Sequence, residues 1–398
     1  MPANVEGPFI KLMTNAREEV VEELRSTDRC RFSSKECRKH EQRTPECNKG
    51  GEYNVSAIRS HLRKDGRVII VRNEDFVKQA FLLFETVSGT LSAIFSQNTM
   101  RKTLDIKSNF LAIEKGFSSF ENSAVVILPA PYEYTVSYGG GTKNGPTAII
   151  KASHYVELFD EETKREIYKE KGIATLPPLN FGKKKDSDAL QLLHNEVASL
   201  LESNKFVVTL GGEHTISSAT ISAYAKKYPN LSLLQFDAHS DLRSEYLGNK
   251  FSHASVMARV CEFLDPHRIV QVGIRAQCKE EAEFIRDHGV NTLYAHEIRD
   301  GKFTKFLKYW DDSVVDKLTD DVYITFDVDG FDPSIMPATG TPEPNGLYWN
   351  ETMQCIRKVA RQHRIVGFDV VELAPMKGLH HPDLTAARLV SKIINYAL

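Results

Sequence analysis

The sequence predicts a doubly wound α/β fold, in which helices cover both faces of a parallel β-sheet. Short apolar runs bounded by Gly, Asp or Pro alternate with longer runs that carry apolar residues at helical spacing. A strand buried on both faces of a parallel sheet has this nearly continuous apolar pattern, and its alternation with helices is typical of doubly wound sheets. The clearest predicted strands are residues 123–128, 206–210, 231–236 and 322–326.

Three segments follow one another along the 398 residues. Residues 1–56 are polar and rich in charge, and they are predicted to form an irregular or disordered arm. Residues 57–121 are predicted to form a small α/β extension, with a strand at 67–71 followed by a helix that residues 73–75 cap. Residues 122–398 are predicted to form the main domain.

The main domain begins with the strand at 123–128 and a glycine-rich segment at 139–141. Consecutive glycines permit positive φ and close approach of the backbone, so this segment is predicted to be a sharp connection from strand to helix. It is a weaker candidate for a phosphate-binding loop, because the Lys and Ser/Thr of a P-loop do not follow it in the required order. Helices are predicted at residues 194–201, 217–227, 280–288, 350–362 and 384–396.

The composition favours a small-molecule partner. The 51 Lys and Arg residues and 53 Asp and Glu residues leave a formal net charge of -2, so the charge balance favours neither nucleic acid nor an acidic membrane surface. No apolar run approaches the ~20 residues that cross a bilayer, and the first residues lack the basic and apolar regions of a signal peptide. The sequence therefore predicts a cytoplasmic protein that binds neither nucleic acid nor membrane.

The chain has six cysteines and no CxxC pair. At this length a disulfide scaffold is not expected. Cys30, Cys37 and Cys47, together with His40, offer four zinc ligands in principle. Their spacing matches no zinc-binding pattern, so chance thiols in the arm are the preferred interpretation.

Metal-ligand residues follow three of the predicted strands. The carboxyl ends of parallel strands meet at one edge of the sheet, so these side chains are expected to converge. A single motif of this kind is often a turn with capped carboxylates, but three in succession, each after a strand, indicate a shared metal site. The candidate ligands lie in the motifs GGEH (211–214), DAHSD (237–241) and DVDGFDP (327–333), and they are His214, Asp237, His239, Asp241, Asp327 and Asp329.

Four of the six candidate ligands are carboxylates, which repel one another in a low-dielectric crevice unless cations compensate them. Carboxylate oxygens with a minority of imidazoles suit Mn²⁺, with Zn²⁺, Ni²⁺ or Fe²⁺ as alternatives. Two such ions ~3.5 to 4 Å apart can lower the pKa of a shared water molecule towards neutrality. The sequence therefore predicts a two-metal site for hydrolysis.

These motifs resemble those of the ureohydrolases, the superfamily of arginase and agmatinase. GGEH is similar to the family's first ligand motif, with Glu in place of the usual Asp beside the histidine, and the other two motifs are similar to its DAHxD motif and its last ligand motif. The resemblance extends to residues 136–139, 337–346 and 371–375, and it covers about residues 122–398. It implies an arginase-like fold with its catalytic domain in that range.

The resemblance implies two Mn²⁺ ions per subunit. In this scheme Asp237 and Asp327 bridge the ions. The first ion is held by His214, Asp237, Asp241 and Asp327, and the second by Asp237, His239, Asp327 and Asp329.

The resemblance also assigns three catalytic residues. Asp241 orients the attacking hydroxide, His253 shuttles protons, and Glu372 pairs with the substrate guanidinium. The chemistry is consistent, because a planar guanidinium favours a bidentate carboxylate and a leaving amine needs a nearby acid. Judged without the family, His253 is a plain loop histidine and Glu372 a solvated or salt-bridged side chain.

Residues 242–252 separate the substrate branches of the family. Arginases hold the α-amino acid end of arginine with a polar Asn/Thr/Ser set in this loop, and this sequence does not reproduce that set. The Ser-His-Ala step at 252–254 and the PEPxG run at 342–346 are more similar to agmatinases. The resemblance therefore implies hydrolysis of agmatine to putrescine and urea, a reaction of polyamine biosynthesis, by a homo-oligomer that is a trimer or hexamer.

Other functions remain open. The substrate could be another guanidino compound, such as guanidinobutyrate, guanidine, proclavaminate or arginine, or it could be formiminoglutamate. A catalytically silent scaffold homologue would have no need of His253 or Glu372. A metal-dependent deacylase on a related fold would aim a Tyr or His pair at an amide carbonyl, and replacing Glu372 with Gln would then have little effect.

Overall fold

The computed structural model describes residues 101–300 and 309–398. The predictions for the arm, for the strand at 67–71 with its helix, and for Cys30, Cys37 and Cys47 lie outside the described residues. Among the described helices, none has the length and apolar character needed to cross a membrane.

The described residues form a sheet of eight strands, all paired in parallel. The order across the sheet is β2-β1-β3-β8-β7-β4-β5-β6. The predicted parallel α/β class is confirmed, and so is its arginase-like form. The strands are β1 (Val125–Ala130), β2 (Ile173–Thr175), β3 (Phe206–Gly211), β4 (Leu231–Phe236), β5 (Ile269–Ile274), β6 (Asn291–Tyr294), β7 (Asp321–Asp327) and β8 (Arg364–Val371).

Residues along a strand alternate between two hydrophobic cores. In β1, Val125 and Ile127 pack in one core, whereas Val126 and Leu128 pack in the other. Successive side chains of a strand point to opposite faces, so a sheet covered on both faces needs apolar residues at nearly every position. This requirement explains the short continuous apolar runs in the sequence.

Helices cover both faces of the sheet. The helices α2, α10 and α11 contribute to the core that contains Val125, and α4, α5 and α6 contribute to the core that contains Val126. The described helices are α1 (Lys115–Ser118), α2 (Gly145–Ser153), α3 (Ile167–Lys171), α4 (Asp186–Glu202), α5 (Ser217–Lys227), α6 (Val256–Val260), α7 (Lys279–His288), α8 (Ala295–Arg299), α9 (Trp310–Val315), α10 (Trp349–Gln362) and α11 (His381–Ala397).

The five predicted helices correspond to α4, α5, α7, α10 and α11. The largest difference is at α4, which begins at Asp186 rather than at residue 194. Its first turn carries Asp186 and Asp188, and acidic side chains stabilise the amino-terminal end of a helix. Ala189 and Leu193 are also buried, so the apolar face of α4 already begins before residue 194.

Residues just before the predicted start of the main domain pack against the sheet. The backbone N–H of Leu104 donates to the carbonyl of Thr175 in β2 at 2.8 Å. Phe110, Leu111 and Ile113 are buried in the core that contains Val125. The boundary at residue 122 stays a prediction, while residues 104–113 add apolar area to that core.

The glycine-rich segment at 139–141 connects β1 to α2. Gly141 has a φ of 118°, which favours glycine. The N–H of Gly139 donates to the carbonyl of Gly340 at 3.1 Å, and a Cβ at Gly139 would lie 2.8 Å from that oxygen. The connection is therefore held against residues 338–344, which border the site described next.

Candidate active site

The candidate site lies at the carboxyl ends of four adjacent strands. His214 follows β3, Asp237 follows β4, Asp327 ends β7 and Glu372 follows β8. Because the strands lie in the order β3-β8-β7-β4, these side chains reach one crevice, in the position where open α/β sheets bind their ligands.

The first group of donor atoms surrounds Nδ1 of His214. This nitrogen lies 3.0 Å from Oδ2 of Asp241, 3.1 Å from Oδ2 of Asp237 and 3.4 Å from Oδ2 of Asp327. Ligand atoms of His214, Asp237 and Asp241 all lie within 4.8 Å of one another. They are close enough to bind a single metal ion.

The second group comprises Asp237, His239 and Asp329, whose ligand atoms also lie within 4.8 Å of one another. Nδ1 of His239 lies 3.0 Å from Oδ2 of Asp329 and 3.6 Å from Oδ1 of Asp237. Asp237 therefore belongs to both groups, with Oδ2 towards His214 and Oδ1 towards His239. This placement suits a carboxylate that bridges two ions.

Asp327 is less centrally placed than the bridging role implies. Its Oδ2 approaches His214, while its Oδ1 accepts the backbone N–H of Asp329 at 2.9 Å. Among the described residues, it is not a member of either tight group of donor atoms. Its role as a second bridge stays a prediction.

Hydrogen bonds behind His214 fix which ring nitrogen faces the first group. Thr325 Oγ1 donates to Oδ1 of Asp369 at 2.7 Å and lies 3.0 Å from Nε2 of His214. Because the hydroxyl proton is directed to Asp369, the hydroxyl accepts from Nε2–H, and Nδ1 is the ring nitrogen that carries the lone pair when the imidazole is neutral. Nδ1 is buried and has no hydrogen-bond partner. A lone pair that points towards several carboxylate oxygens is suited to bind a divalent cation. The hydrogen bond at Nε2 holds the imidazole in the orientation that this binding needs.

The charges of these buried groups also fit bound cations. Burial, together with the charge of Asp237, raises the pKa of Asp241 to about 7. Burial likewise raises the pKa of Asp327 well above its usual range. Burial alone would lower the pKa of His239, but the charge of Asp329 and contacts with Asp237 raise it to about 12. Without a metal, protonated imidazoles are the nearest source of the positive charge that the carboxylates need.

Glu372 and Asp241 both adopt backbone angles that are unusual for residues with a side chain. Their φ values are 64° and 54°, in the left-handed region that costs on the order of 1 kcal/mol or more for residues other than glycine. The unusual angle at Glu372 turns its side chain back over β3, where Oε1 accepts the backbone N–H of His214 at 2.6 Å. Strain of this kind often marks a functional position.

His253 lies in a short turn ahead of α6. Its Nδ1 is 3.1 Å from Oγ1 of Thr135, and its ring packs edge-on against Tyr246. Burial lowers the pKa of His253 to about 4, so the imidazole is neutral near pH 7. Its Nε2 has no hydrogen-bond partner within the described part of the chain.

A cavity of about 430 Å³ joins these groups. All the predicted site residues line it except Asp237, which lies fully buried beneath its floor. The residues from the sequence analysis that line it are His214, His239, Asp241, His253, Asp327, Asp329 and Glu372. The structure therefore brings the whole predicted set to one place.

Several polar residues of the site carry no role in the sequence analysis. Gln235 donates to Oδ2 of Asp237 at 2.8 Å, and Thr325 and Asp369 orient His214 as described. Glu213 and Thr135 also line the cavity. One sequence signal was available, because Asp369 is a charged residue inside the apolar run of β8, and a buried charge needs a partner.

Comparisons with known proteins place this architecture among related enzymes. The model of the Arginase family matches residues 123–396. The chain is 35% identical over 287 residues to the N(1)-aminopropylagmatine ureohydrolase of Synechocystis sp., a match that covers 71% of this chain and 92% of that protein. It is 37% identical over 274 residues to the agmatinase of Bacillus cereus, with 68% of this chain and 90% of that protein covered.

A solved structure gives the same result. The agmatine ureohydrolase of Thermoplasma volcanium matches with a TM-score of 0.64 and 28% identity, over 77% of this chain and 97% of that chain. Arginase-family proteins are binuclear metal enzymes, in agreement with two groups of donor atoms that share one carboxylate. The chain thus belongs to the Arginase family, as an agmatinase-like ureohydrolase that acts on amidine C–N bonds.

Proposed function

We propose that this chain hydrolyses agmatine to putrescine and urea, and that it does so with two Mn²⁺ ions. One observation carries the proposal. Two groups of nitrogen and oxygen donors that share Asp237 lie at the same cavity as the carboxylate of Glu372 and the imidazole of His253.

In the proposed reaction, water adds to the central carbon of the guanidinium, and the bond from that carbon to the substituted nitrogen breaks. The carbon leaves as urea, and the nitrogen gains a proton and leaves as the ammonium group of putrescine. Two divalent cations in the donor groups would lower the pKa of the water that attacks. Asp241, at the edge of the first donor group, would orient that water.

Glu372 would bind the guanidinium. Its Oε1 accepts one hydrogen bond from the backbone of His214, and Oε2 is left for the substrate. A planar guanidinium can donate two parallel hydrogen bonds to one carboxylate. Burial raises the pKa of Glu372 well above its usual range, so a cation beside it stabilises the ionised form.

His253 would move the proton that the leaving amine requires. His253 lines the cavity, and its Nε2 has no hydrogen-bond partner within the described part of the chain. The low pKa of His253 keeps the imidazole neutral and able to accept a proton. A positioned acid or base of this kind contributes about 10²- to 10⁴-fold to a rate.

A second candidate substrate is N(1)-aminopropylagmatine. Three of the most similar relatives carry that activity in their names, at 35–36% identity. This compound presents the same guanidinium and adds a second amine along the tail. It therefore differs from agmatine only in contacts outside the metal and guanidinium sites.

A urea-release screen tests the proposal. Protein loaded with Mn²⁺, and in parallel with Ni²⁺, is assayed with agmatine, N(1)-aminopropylagmatine, guanidinobutyrate, arginine and guanidine. We expect the highest kcat/KM with agmatine. If another compound released urea and agmatine did not, agmatine would be rejected as the substrate, while the proposed hydrolysis of a guanidino group would be retained. Two bound divalent ions per chain would support an enzyme, and no bound ion after incubation with Mn²⁺ would favour the scaffold alternative.

Three narrower expectations accompany the proposal. They are Mn²⁺ as the metal in the cell, assembly into a trimer or hexamer, and a cytoplasmic location. Metal analysis of protein purified without added metal, and the mass of the native protein in solution, test the first two directly.

A further inference from the structure

The carboxylate of Glu213 belongs to neither metal group, although it directly precedes His214. Its side chain is 2% exposed and accepts three hydrogen bonds from the loop after β1. Oε2 accepts the backbone N–H groups of Tyr134 at 2.7 Å and of Thr135 at 2.6 Å, and Oε1 accepts the hydroxyl of Thr135 at 3.0 Å. Glu213 therefore holds both the backbone and the hydroxyl of Thr135.

The hydroxyl of Thr135 connects this carboxylate to His253. Oγ1 lies 3.1 Å from Nδ1 of His253 and accepts the backbone N–H of His253 at 3.1 Å. A hydroxyl has one proton and two lone pairs, whereas a carboxylate can only accept. The hydroxyl proton of Thr135 is thus donated to Glu213. The two lone pairs of the hydroxyl accept from His253, one from its backbone N–H and the other from Nδ1–H.

We propose that Glu213 is a positioning residue for His253, and that it acts through the hydroxyl of Thr135 to keep the imidazole proton on Nδ1. The Nε2 lone pair then faces the cavity and exchanges the proton of the reaction. The catalytic consequence rests on the proposed function, but the tautomer of His253 follows from the hydrogen bonds alone.

The length of the Glu213 side chain matters for this contact. The backbone at 212–213 is fixed against the loop after β1, because the N–H of Glu213 donates to the carbonyl of Tyr132 at 2.9 Å. A Cβ at Gly212 would lie 2.0 Å from that same carbonyl oxygen, so the backbone has little room to move. Aspartate would withdraw the carboxylate by about one C–C bond, roughly 1.5 Å, and would lose hydrogen bonds to Thr135. The longer side chain of Glu213, at a position of the GGEH motif where the family usually has Asp, is therefore needed for its carboxylate to reach Thr135.

The variant Glu213→Gln makes a specific reversal testable. In the variant, the two backbone N–H groups that donate to Oε2 require an oxygen at that position. The amide NH₂ group therefore takes the place of Oε1 and donates to the hydroxyl of Thr135. The hydroxyl must then direct its own proton to Nδ1 of His253, and the imidazole proton moves to Nε2. The variant keeps the shape of the site and reverses the tautomer.

The test measures the tautomer of His253 by ¹⁵N NMR of histidine-labelled full-length protein without metal, at about pH 8.5. This pH lies above the pKa of Glu213, which burial raises to about 7, so Glu213 is ionised there. The His253→Asn variant identifies the signal. We expect a proton on Nδ1 in the parent protein and in Thr135→Ser, which keeps the hydroxyl, and a proton on Nε2 in Glu213→Gln. A proton on Nε2 in the parent, or an unchanged tautomer in Glu213→Gln, would overturn the proposal.

Kinetics with the Mn²⁺-loaded enzyme give a second readout. We expect kcat of Glu213→Gln to fall by about 10²-fold or more, the scale of lost acid–base catalysis, with KM changed by less than about threefold because guanidinium binding is retained. Thr135→Val should lose a similar part of kcat, whereas Thr135→Ser, which keeps the hydroxyl, should retain most of the parent rate. Equal losses in the Ser and Val variants would overturn the role of the hydroxyl. The NMR result stands even if none of the guanidino compounds is a substrate, so failure of the proposed function is distinguishable.

Discussion

Replacing Glu372 with Gln removes one negative charge from the cavity with almost no change in shape. Oε1 already accepts the N–H of His214 at 2.6 Å, so the amide oxygen must occupy that position. The amide NH₂ then takes the place of Oε2 and presents hydrogen-bond donors to a guanidinium that itself only donates. The substitution therefore removes the ion pair and adds a repulsive contact.

Two independent estimates give the size of the effect. A unit charge pair ~4 Å apart at an effective dielectric constant of about 20 is worth roughly 4 kcal/mol. Loss of one partner from a buried, hydrogen-bonded charge pair costs about 2–5 kcal/mol. Because each ~1.4 kcal/mol corresponds to a factor of ten, kcat/KM for agmatine should fall by about 10²- to 10³-fold.

The assay is steady-state urea release with Mn²⁺-loaded protein, together with metal analysis of the same samples. Glu245→Gln is the matched control, because Glu245 is an exposed carboxylate in the neighbouring loop and does not line the cavity. The control should retain activity, and both variants should retain their metal. If Glu372→Gln kept kcat/KM within about threefold of the parent, guanidinium recognition by Glu372 would be refuted and the deacylase alternative would gain support.

Three further predictions concern the metal groups, the glycine-rich connection and His253. Asp237→Asn should lose both ions and Asp329→Asn only one, as measured by metal per chain after dialysis, because Asp237 alone among the described residues belongs to both groups; equal losses would contradict a shared ligand. Gly139→Ala should lower the free energy of unfolding by about 1–3 kcal/mol, because its Cβ would lie 2.8 Å from a carbonyl oxygen. In the control Gly116→Ala the new Cβ meets no atom within 4 Å, so no steric clash should lower the melting temperature. His253 in metal-free protein should titrate near its pKa of about 4, so lowering the pH from 7 to 5 leaves it neutral; an NMR midpoint near the ordinary value of about 6.5 would show that burial does not control it.

Much of the fold could be predicted because strand and helix patterns are local. The runs at 206–210, 231–236 and 322–326 are β3, β4 and β7 to within one residue at either end. Their apolar continuity follows from burial on both faces of a parallel sheet. The bounds of the helices were less predictable. The helix α4 begins at Asp186 with a polar first turn that carries no apolar signal, and its buried face begins at Ala189, before the predicted start at residue 194.

The kinds of metal ligand could also be predicted, since ligand chemistry is a property of the residue types. Imidazole and carboxylate side chains immediately after strands indicate a divalent metal in any arrangement that brings them together. The arrangement itself depends on strand order. β8 is inserted between β3 and β7, and this insertion brings Glu372 to His214 across 158 residues of sequence.

The sequence by itself determined the α/β class, the chemistry of the donors and, through resemblance, the ureohydrolase reaction. Only the tertiary structure decided that Asp237 lies closer to both groups than Asp327 does, that Asp369 orients His214 through Thr325, and that Glu213 reaches His253 through Thr135. The physical reason is that apolar periodicity and side-chain chemistry act between near neighbours in the chain. Hydrogen-bond partners such as Thr135 and His253, 118 residues apart, are brought together only when the sheet and its connecting loops have packed.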